Sequence, residues 1–310
     1  MSAICRRPHK SRSSAGLWCA IACCLLLPGC RLMVLDPAGP VSAAENTILF
    51  NALAIMLAIV VPTIVATLGF AWWYRASNGR ARYQPNWSYS GRIEMITWSI
   101  PILVILFLGG MTWIGSHDLD PYKRLKSRAA PLDIQAVSLD WKWLFIYPAQ
   151  GIATVNQLTV PVGVPLHFSL TSSSVLNTFF VPQLGSMIYT MNAMSDQLNL
   201  QADKPGVYYG RSAHFSGDGF SGMQFEVHAV AADEFDAWVR HVRSGGPVLN
   251  AAAYPGLARQ SENVAPFTYR AVEPGFYDMI VTQKLPPGPG PQQGRPSPDV
   301  SPRTEADDAR

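Results

Sequence analysis

Long apolar stretches separated by short polar ones dominate the first 115 residues. A basic start precedes apolar residues 15–27, which have the length of a signal-peptide core and are too few for a stable membrane anchor. Residues 48–74 form a 27-residue stretch without a charged side chain, and residues 93–114 are largely apolar with a single charged side chain, that of Glu94. Each of these two stretches is long enough for a transmembrane helix. The pattern predicts a signal peptide over 1–29, a short segment over 30–47 and two membrane-spanning helices.

The loop between the two predicted spans sets their orientation. Residues 75–92 contain no acidic side chain and four cations: Arg75, Arg80, Arg82 and Arg92. Because basic loops stay in the cytoplasm, both chain ends are expected on the periplasmic side. Pro62, in the middle of the first span, predicts a kink whose freed carbonyl is satisfied inside a helix bundle.

After a polar linker over 115–131 the hydrophobic period changes from helical to alternating. Between Val164 and Leu170 the two leucines and Phe168 take one face, while His167 and Ser169 take the other. Turn residues separate several such runs between 132 and 231, a length that suits one cupredoxin-sized β-sandwich or Greek-key barrel. The predicted fold class is therefore a two-helix transmembrane hairpin followed by an all-β domain.

The C-terminal part is predicted to differ from the β domain. Residues 234–243 have a helical apolar stripe made of Phe235, Trp238, Val239 and Val242. Together with later aromatic residues they predict a helical and aromatic arm over 232–283. Residues 284–310 contain seven prolines in twenty-seven positions, a composition that predicts disorder.

Composition and charge support a membrane protein and exclude one class of partner. Hydrophobic residues make up 48% of the chain and charged residues 15%, and the apolar excess lies before residue 115. The formal charge is +3, but Arg6, Arg7, Lys10 and Arg12 lie in the predicted leader, and losing four cations leaves about −1. Since no basic face for phosphates then remains, no nucleic-acid partner is predicted.

All five cysteines lie within the first thirty residues. Nothing after Cys30 can form a disulfide or offer a thiolate to zinc, copper or an iron–sulfur cluster. The run Leu27-Pro28-Gly29-Cys30 resembles a bacterial lipoprotein box, which implies that Cys30 becomes the lipidated mature N-terminus. Pro28 departs from the small residue usual there, and the alternative is an ordinary signal sequence with a buried cysteine.

Several motifs resemble one family. The β region carries Asp140-Trp141-Lys142-Trp143, Val175-Leu176-Asn177 and a run from Tyr209-Gly210 to Met223. After two transmembrane helices, this order resembles subunit II of the haem-copper oxidases, whose soluble part is a cupredoxin fold. Further stretches match the bo-type quinol oxidases, and the resemblance runs from the lipoprotein box to about Val242. These are Gly69–Trp72, Tyr74–Asn78, Ile146–Pro148 and Phe220–Met223.

The resemblance also predicts that a metal centre is missing. Copper-binding members hold a dinuclear centre with one histidine in a first loop and a C-x3-C-x3-H-x2-M run in the last, plus a backbone carbonyl at the position of His214. On that spacing the side-chain ligand positions are Asn177, Ser212, Ser216, Phe220 and Met223. Only the methionine remains, and serine hydroxyls cannot replace bridging thiolates. No metal or other cofactor is therefore expected in this chain.

Membership of this family implies a subunit of a proton-pumping quinol oxidase that reduces O2 to water. Haems and copper are expected in subunit I, with subunits III and IV and membrane lipid as further partners and quinol reaching the complex through subunit I. The location implied is the bacterial inner membrane, with the β domain in the periplasm. The alternative is a stand-alone membrane-anchored cupredoxin-like binding lipoprotein, for which two full spans are more than tethering needs. A cytochrome c oxidase subunit is contradicted by the missing ligands.

Two further expectations concern Glu94 and the tryptophan motif. Glu94 forms E-x3-W-x2-P with Trp98 and Pro101. An acid in a first helical turn is commonly a macrodipole partner, but the resemblance places this one at the mouth of the K proton channel. Trp141 and Trp143 are expected to pack at the interface with subunit I. The β domain, from about residue 128 to 242, is expected to fold without metal.

Overall fold

In the computed structural model of the chain, residues 33–82, 84–127 and 129–290 are described. Two long helices come first, α1 over Pro40–Trp73 and α2 over Gly91–Asp118. Both are long and apolar enough to cross a membrane, and their large apolar side chains are exposed. Exposure of so much apolar surface to water would be unfavourable, so this hairpin belongs in the bilayer. The helix α1 continues through Pro62.

The run Tyr74–Asn78, which follows α1, caps the C-terminal end of that helix. The Arg75 guanidinium donates to the carbonyl of Trp72 at 3.0 Å and stacks over the indole of that residue at 4.8 Å. The Asn78 amide donates to the carbonyl of Trp73 at 2.6 Å. Carbonyl groups in a last helical turn have no partner within the helix, and cationic or amide donors there stabilise the terminus.

The β domain consists of two facing sheets. The strands are β1 Leu132–Leu139, β2 Lys142–Tyr147, β3 Ile152–Val155, β4 Gln157–Pro161, β5 Pro165–Ser172, β6 Asn177–Phe180, β7 Ile188–Thr190, β8 Asp196–Gln201, β9 Gly206–Ser212, β10 Gln224–Val230, β11 Val248–Leu249, β12 Phe267–Tyr269 and β13 Ala271–Val272. The first sheet has the strand order β12-β3-β2-β1-β5-β8 and the second β4-β10-β9-β6-β7. β1 pairs antiparallel with β2 and parallel with β5, while β10 pairs antiparallel with β9 and parallel with β4.

The main core lies between the sheets, as the alternating pattern predicts. Leu166, Phe168 and Leu170 are buried in it, while His167 and Ser169 are half-buried on the other face. Helix α3, Ala232–Ser244, adds its apolar stripe to the same core. The predicted fold class, a membrane hairpin followed by a β-sandwich, is confirmed.

A second core covers the outer face of the first sheet. Val137, Leu139, Leu144 and Ile146 point away from the sandwich interior and are buried by the segment 248–285. This segment contains β11, α4 over Tyr254–Ala258, β12, β13 and α5 over Phe276–Val281. Strand β12 extends the sheet by pairing with β3. The C-terminal arm is thus part of the β domain, and a domain ending at 231 or 242 would leave this face uncovered.

The disorder predicted from residue 284 onward is wrong for its first part. Leu285 is buried in the second core, the Gly288 amide donates to the carbonyl of Ser173 at 2.8 Å, and the Gly290 amide donates to the Asp140 carboxylate at 2.8 Å. Distant buried acceptors order a segment whose composition alone favours disorder. Residues 291–310 and the predicted signal peptide lie outside the described residues.

The membrane hairpin is fastened to the β domain just before α1. The Ala38 amide donates to the carbonyl of Gln183, and the Asp203 amide to the carbonyl of Ala38, each at 2.8 Å. A Cβ added at Gly39 would lie 2.1 Å from the Gln201 carbonyl oxygen, so only glycine fits. Membrane helix and sheet are therefore joined by backbone contacts at the N-terminal end of α1.

Removing residues 246–310 should unfold the β domain. Its outer core would lose its cover, and full burial of each side chain of this size contributes about 1.5–3 kcal/mol. We expect a detergent-solubilised chain ending at Gly245 to aggregate or to lose its cooperative thermal transition, measured by tryptophan fluorescence. A chain ending at Gly290 is the matched control and should unfold like the full chain. Equal transitions for the two truncated chains would contradict the role of the arm.

Candidate functional site

The ends of three neighbouring strands bring the predicted copper-ligand positions together. Asn177 begins β6, Ser212 ends β9, and Met223 directly precedes β10. Because β9 pairs with both β6 and β10, these ends meet at one edge of the second sheet. Asn177, Ser212 and Met223 are all buried.

The polar atoms of this site bind one another. The Ser212 hydroxyl donates to the Asn177 side-chain oxygen, and the Asn177 amide donates to the Met223 sulfur at 3.2 Å. The Ser212 backbone amide donates to the carbonyl of Met223 at 3.0 Å. The site is therefore closed by hydrogen bonds among the two replacement side chains, Asn177 and Ser212, and the retained methionine.

The two remaining positions do not complete a metal site. The Ser216 side chain is buried, and its hydroxyl has no partner among the described residues. Phe220 lies in a 3₁₀ turn, half-exposed, with its ring 5.7 Å from that of the exposed Phe215. The Phe220 ring thus packs at the surface against another ring.

The donor set does not fit a dinuclear copper centre. Such a centre needs two thiolates to bridge the ions, whereas this site offers hydroxyl, amide and thioether groups. In the part of the chain that the structure describes, no three His, Cys, Asp or Glu side chains lie together as metal ligands would.

The two tryptophans of the Asp140–Trp143 motif pack on the interior side of the loops that carry the site. Trp141 has a left-handed φ of 65°, which is unfavourable for a bulky residue and turns its indole inward. The indole donates to the carbonyl of Ser216 at 3.1 Å, and a Cβ added at Gly219 would lie 2.5 Å from the ring. Trp143 packs against Phe179 with ring centroids 5.4 Å apart.

These contacts correct one expectation from the sequence. Trp141 is 1% exposed and Trp143 0% exposed within this chain alone. The prediction that they pack at an interface with subunit I is therefore wrong, since the turn between β1 and β2 directs both rings into the domain's own core.

The charged residues of the same motif hold the C-terminal arm, a role that the sequence analysis missed. The Lys142 ammonium donates to the carbonyl of Arg259 and to the Ser261 hydroxyl, each at 2.6 Å. The Asp140 carboxylate accepts from the Ser174 hydroxyl and from the Gly290 amide. Burial lowers the pKa of Lys142 to about 8, against an opposing effect of Asp140. In the sequence, the signal for this role is the presence of two charged residues, Asp140 and Lys142, within an otherwise apolar run.

Glu94 lies at the other end of the molecule. It is exposed in the first turn of α2, where its backbone amide donates to the carbonyl of Ser90 at 3.0 Å. Trp98 and Pro101 follow at spacings of four and three, which places the three residues on one exposed stripe. Among the described residues, the Glu94 carboxylate forms no salt bridge. Cys30 lies outside the described residues.

Restoring the ligand atoms should convert the site into a copper centre. The changes are Asn177→His, Ser212→Cys, Ser216→Cys and Phe220→His, with Met223 and the carbonyl of His214 kept. Because Phe220 is half-exposed, we expect its replacement to cost less than the roughly 3–5 kcal/mol of a buried Phe→Ala truncation. The four-fold variant should bind two copper ions and turn purple, as metal analysis and visible absorption would show.

The matched control for this graft keeps Ser216 and changes the other three positions. With one thiolate it should not form a dinuclear centre, and the parent chain should bind no stoichiometric copper. Tight copper binding by the parent would contradict the assignment of these positions. A folded but colourless four-fold variant would contradict the alignment of the loops.

Comparison with known proteins gives a consistent result for both parts of the chain. The family model "Cytochrome C oxidase subunit II, periplasmic domain" matches residues 110–230. Ubiquinol oxidase subunit 2 of Acetobacter aceti is 53% identical over 262 residues, which cover 84% of this chain and 85% of the relative. Cytochrome bo(3) ubiquinol oxidase subunit 2 of Pseudomonas aeruginosa is 48% identical over 266 residues, covering 86% and 80%.

A solved structure was also matched. The periplasmic domain of subunit II of cytochrome oxidase of Bradyrhizobium japonicum is 23% identical, with a TM-score of 0.36, and the match covers 38% of this chain and 96% of that one. The matches to the two oxidase subunits are longer than the β domain, so they include part of the membrane hairpin as well. On this identity over most of both chains, the protein belongs to the family of ubiquinol oxidase subunit 2.

Proposed function

We propose that the chain is subunit II of a proton-pumping terminal quinol oxidase of the bacterial inner membrane. The observation that carries this proposal is the site at the ends of β6, β9 and β10, where Ser212 and Asn177 bind each other in place of ligating copper. A subunit that receives electrons from a soluble protein needs an acceptor there. A quinol instead delivers its electrons within the bilayer, to haem in another subunit.

In this complex the chain acts without a redox centre of its own. The partners are subunit I, which would hold the haems and copper and receive the quinol, together with subunits III and IV and membrane lipid. Support comes from the exposed apolar side chains along α1 and α2, which require lipid or other helices as neighbours. The stand-alone binding lipoprotein is the less favoured alternative, because a receptor needs one anchor only.

Glu94 is proposed to take up protons from the cytoplasm for the K channel of subunit I. It lies at the start of α2, next to a loop whose four arginines predict a cytoplasmic position. Its stripe with Trp98 and Pro101 is exposed and therefore available to a neighbouring subunit. Acids at the membrane boundary can pass protons into a hydrogen-bonded relay.

Purification of the complex through a tag on this chain tests the main proposal. The preparation should contain haem and should consume oxygen with quinol as the donor, but not with reduced cytochrome c. A chain that purifies alone, without haem, would support the binding lipoprotein instead.

Glu94→Ala should slow quinol-driven oxygen uptake in the assembled complex. A positioned proton-transfer group contributes roughly 10²–10⁴-fold, and water can replace part of that, so we expect a loss of about tenfold or more. Haem content should be unchanged, and Glu94→Asp should recover part of the rate. Glu226→Gln, which neutralises an exposed acid of the β domain, is the control. Normal turnover in a fully assembled Glu94→Ala complex would contradict the role.

Mature protein should begin at Cys30 and carry acyl chains. The lipoprotein box predicts this, and it accords with the fastening of residues 38–42 to the periplasmic domain close by. Intact-mass measurement of the membrane-extracted chain decides it. A mature chain with a different first residue, or without an acyl increment, would refute the assignment.

A further inference from the structure

A second acid lies where the membrane hairpin meets the β domain. Glu45 is in the second turn of α1, before the uncharged stretch that begins at residue 48, and is thus on the periplasmic side. It is half-buried, and its carboxylate accepts a hydrogen bond from the Ser186 hydroxyl. Among the described residues no cation forms a salt bridge with it. Its charged form therefore lacks the partner that would fix it, and the carboxyl can change its protonation state.

Ser186 connects this acid to a small cavity with a volume of about 30 Å³. The wall combines polar and apolar side chains: Ser186, Asn199, Asp118, Asp120 and Lys123 on the polar side, and Val41, Leu119, Pro121, Leu125 and Leu198 on the apolar side. One water occupies roughly 10–15 Å³ of such a volume, so about two waters fit. The side-chain oxygen of Asn46, the next residue of α1, is buried without a partner in the described part of the chain, and buried oxygens of this kind commonly accept from ordered water.

Two charged residues of the cavity wall also reach solvent. Asp118 and Lys123 form a salt bridge at 3.2 Å, with 67% and 50% of their side chains exposed. On the domain side, the Asn199 amide donates to the carbonyl of Pro121 at 2.9 Å, and its oxygen lies 3.0 Å from a ring nitrogen of His167. The Ser186 hydroxyl and the Asp118 and Asp120 carboxylates thus line one cavity that lies next to Glu45.

We propose that Glu45, Ser186 and this cavity form a proton-release route on the periplasmic side of the oxidase. The inference rests on the proposed function. Each quinol that is oxidised gives two electrons to haem and releases two protons. A released proton binds the Glu45 carboxylate. The Ser186 hydroxyl, which donates to that carboxylate, then rotates so that its oxygen accepts the proton from Glu45, while its own proton passes through the cavity water to Asp118 or Asp120 and then to solvent.

The attachment of α1 to the β domain does not explain why residue 45 is a glutamate. The backbone contacts of Ala38 already join α1 to the domain, and the Ser42 hydroxyl donates to the carbonyl of Gln183 at 2.7 Å. Glu45 lies one turn further along, where neither contact needs a carboxylate. An amide of the same shape could accept the Ser186 hydrogen bond equally well, so the carboxylate adds only the capacity to exchange a proton.

The test uses the whole oxidase in proteoliposomes, with Glu45→Gln as the central variant. Glu45→Gln should lower quinol-driven turnover and proton release to the outside by about tenfold, below the roughly 10²–10⁴-fold of a directly acting acid–base group because water can substitute in part. Ser186→Ala should give a smaller loss. Ser42→Ala, which removes a fastening contact only, should turn over like the parent, and haem content should be the same in all four complexes.

The dependence of turnover on external pH separates proton transfer from docking. Asp118, Asp120, Lys123 and His167 also face the junction and remain in every variant, so the difference between the parent and Glu45→Gln profiles reports Glu45 alone. A parent-like rate and pH profile in Glu45→Gln would overturn the route. Equal loss of haem in Glu45→Gln, Ser186→Ala and Ser42→Ala would also overturn it and assign the contacts to docking. A parent complex without quinol-driven oxygen uptake would instead refute the proposed function.

Discussion

The β domain depends on a central sheet that is apolar on both faces. Along β2, Trp143 and Phe145 enter the core between the sheets, while Leu144 and Ile146 enter the outer core. An uncovered apolar face would lose its burial free energy, so this sheet requires a cover on each side. The second sheet provides one cover, and the C-terminal arm provides the other. Both the loops of the site and the order of the arm follow from this requirement.

The same packing explains how a cupredoxin-like site persists without metal. The positions at the ends of β6, β9 and β10 are fixed by strand pairing and by Trp141 beneath them. Ser212, Asn177 and Met223 then satisfy one another, so few buried polar groups are left unpaired. The hydroxyl of Ser216 is the exception among the five positions. Shape is thus supplied by the core rather than by ligation, in contrast with sites whose folding depends on the bound metal.

The membrane hairpin presents two acids at opposite ends, and their surroundings differ. Glu94 is exposed at the start of α2, whereas Glu45 is half-buried at the start of α1 against the β domain. Residues 38–42 contact the loop before β7 and the end of β8, and these contacts fix the surroundings of Glu45. Proton transfer would therefore use an exposed side chain at Glu94 and a half-buried side chain at Glu45 that is held against the β domain.

The amino-acid sequence by itself determined the two apolar helices, the class of the β domain and the loss of the ligand atoms, and it predicts the orientation of the spans. Each of these depends on residues near one another along the chain, such as the uncharged run 48–74 or the spacing from Ser212 to Met223. Only the tertiary structure decided that the two tryptophans face inward, that residues 284–290 are ordered and that Glu45 meets Ser186, 141 positions away. Such pairings arise when distant segments cover the same apolar surface, and no local pattern of hydrophobic and polar residues encodes which segment will cover it.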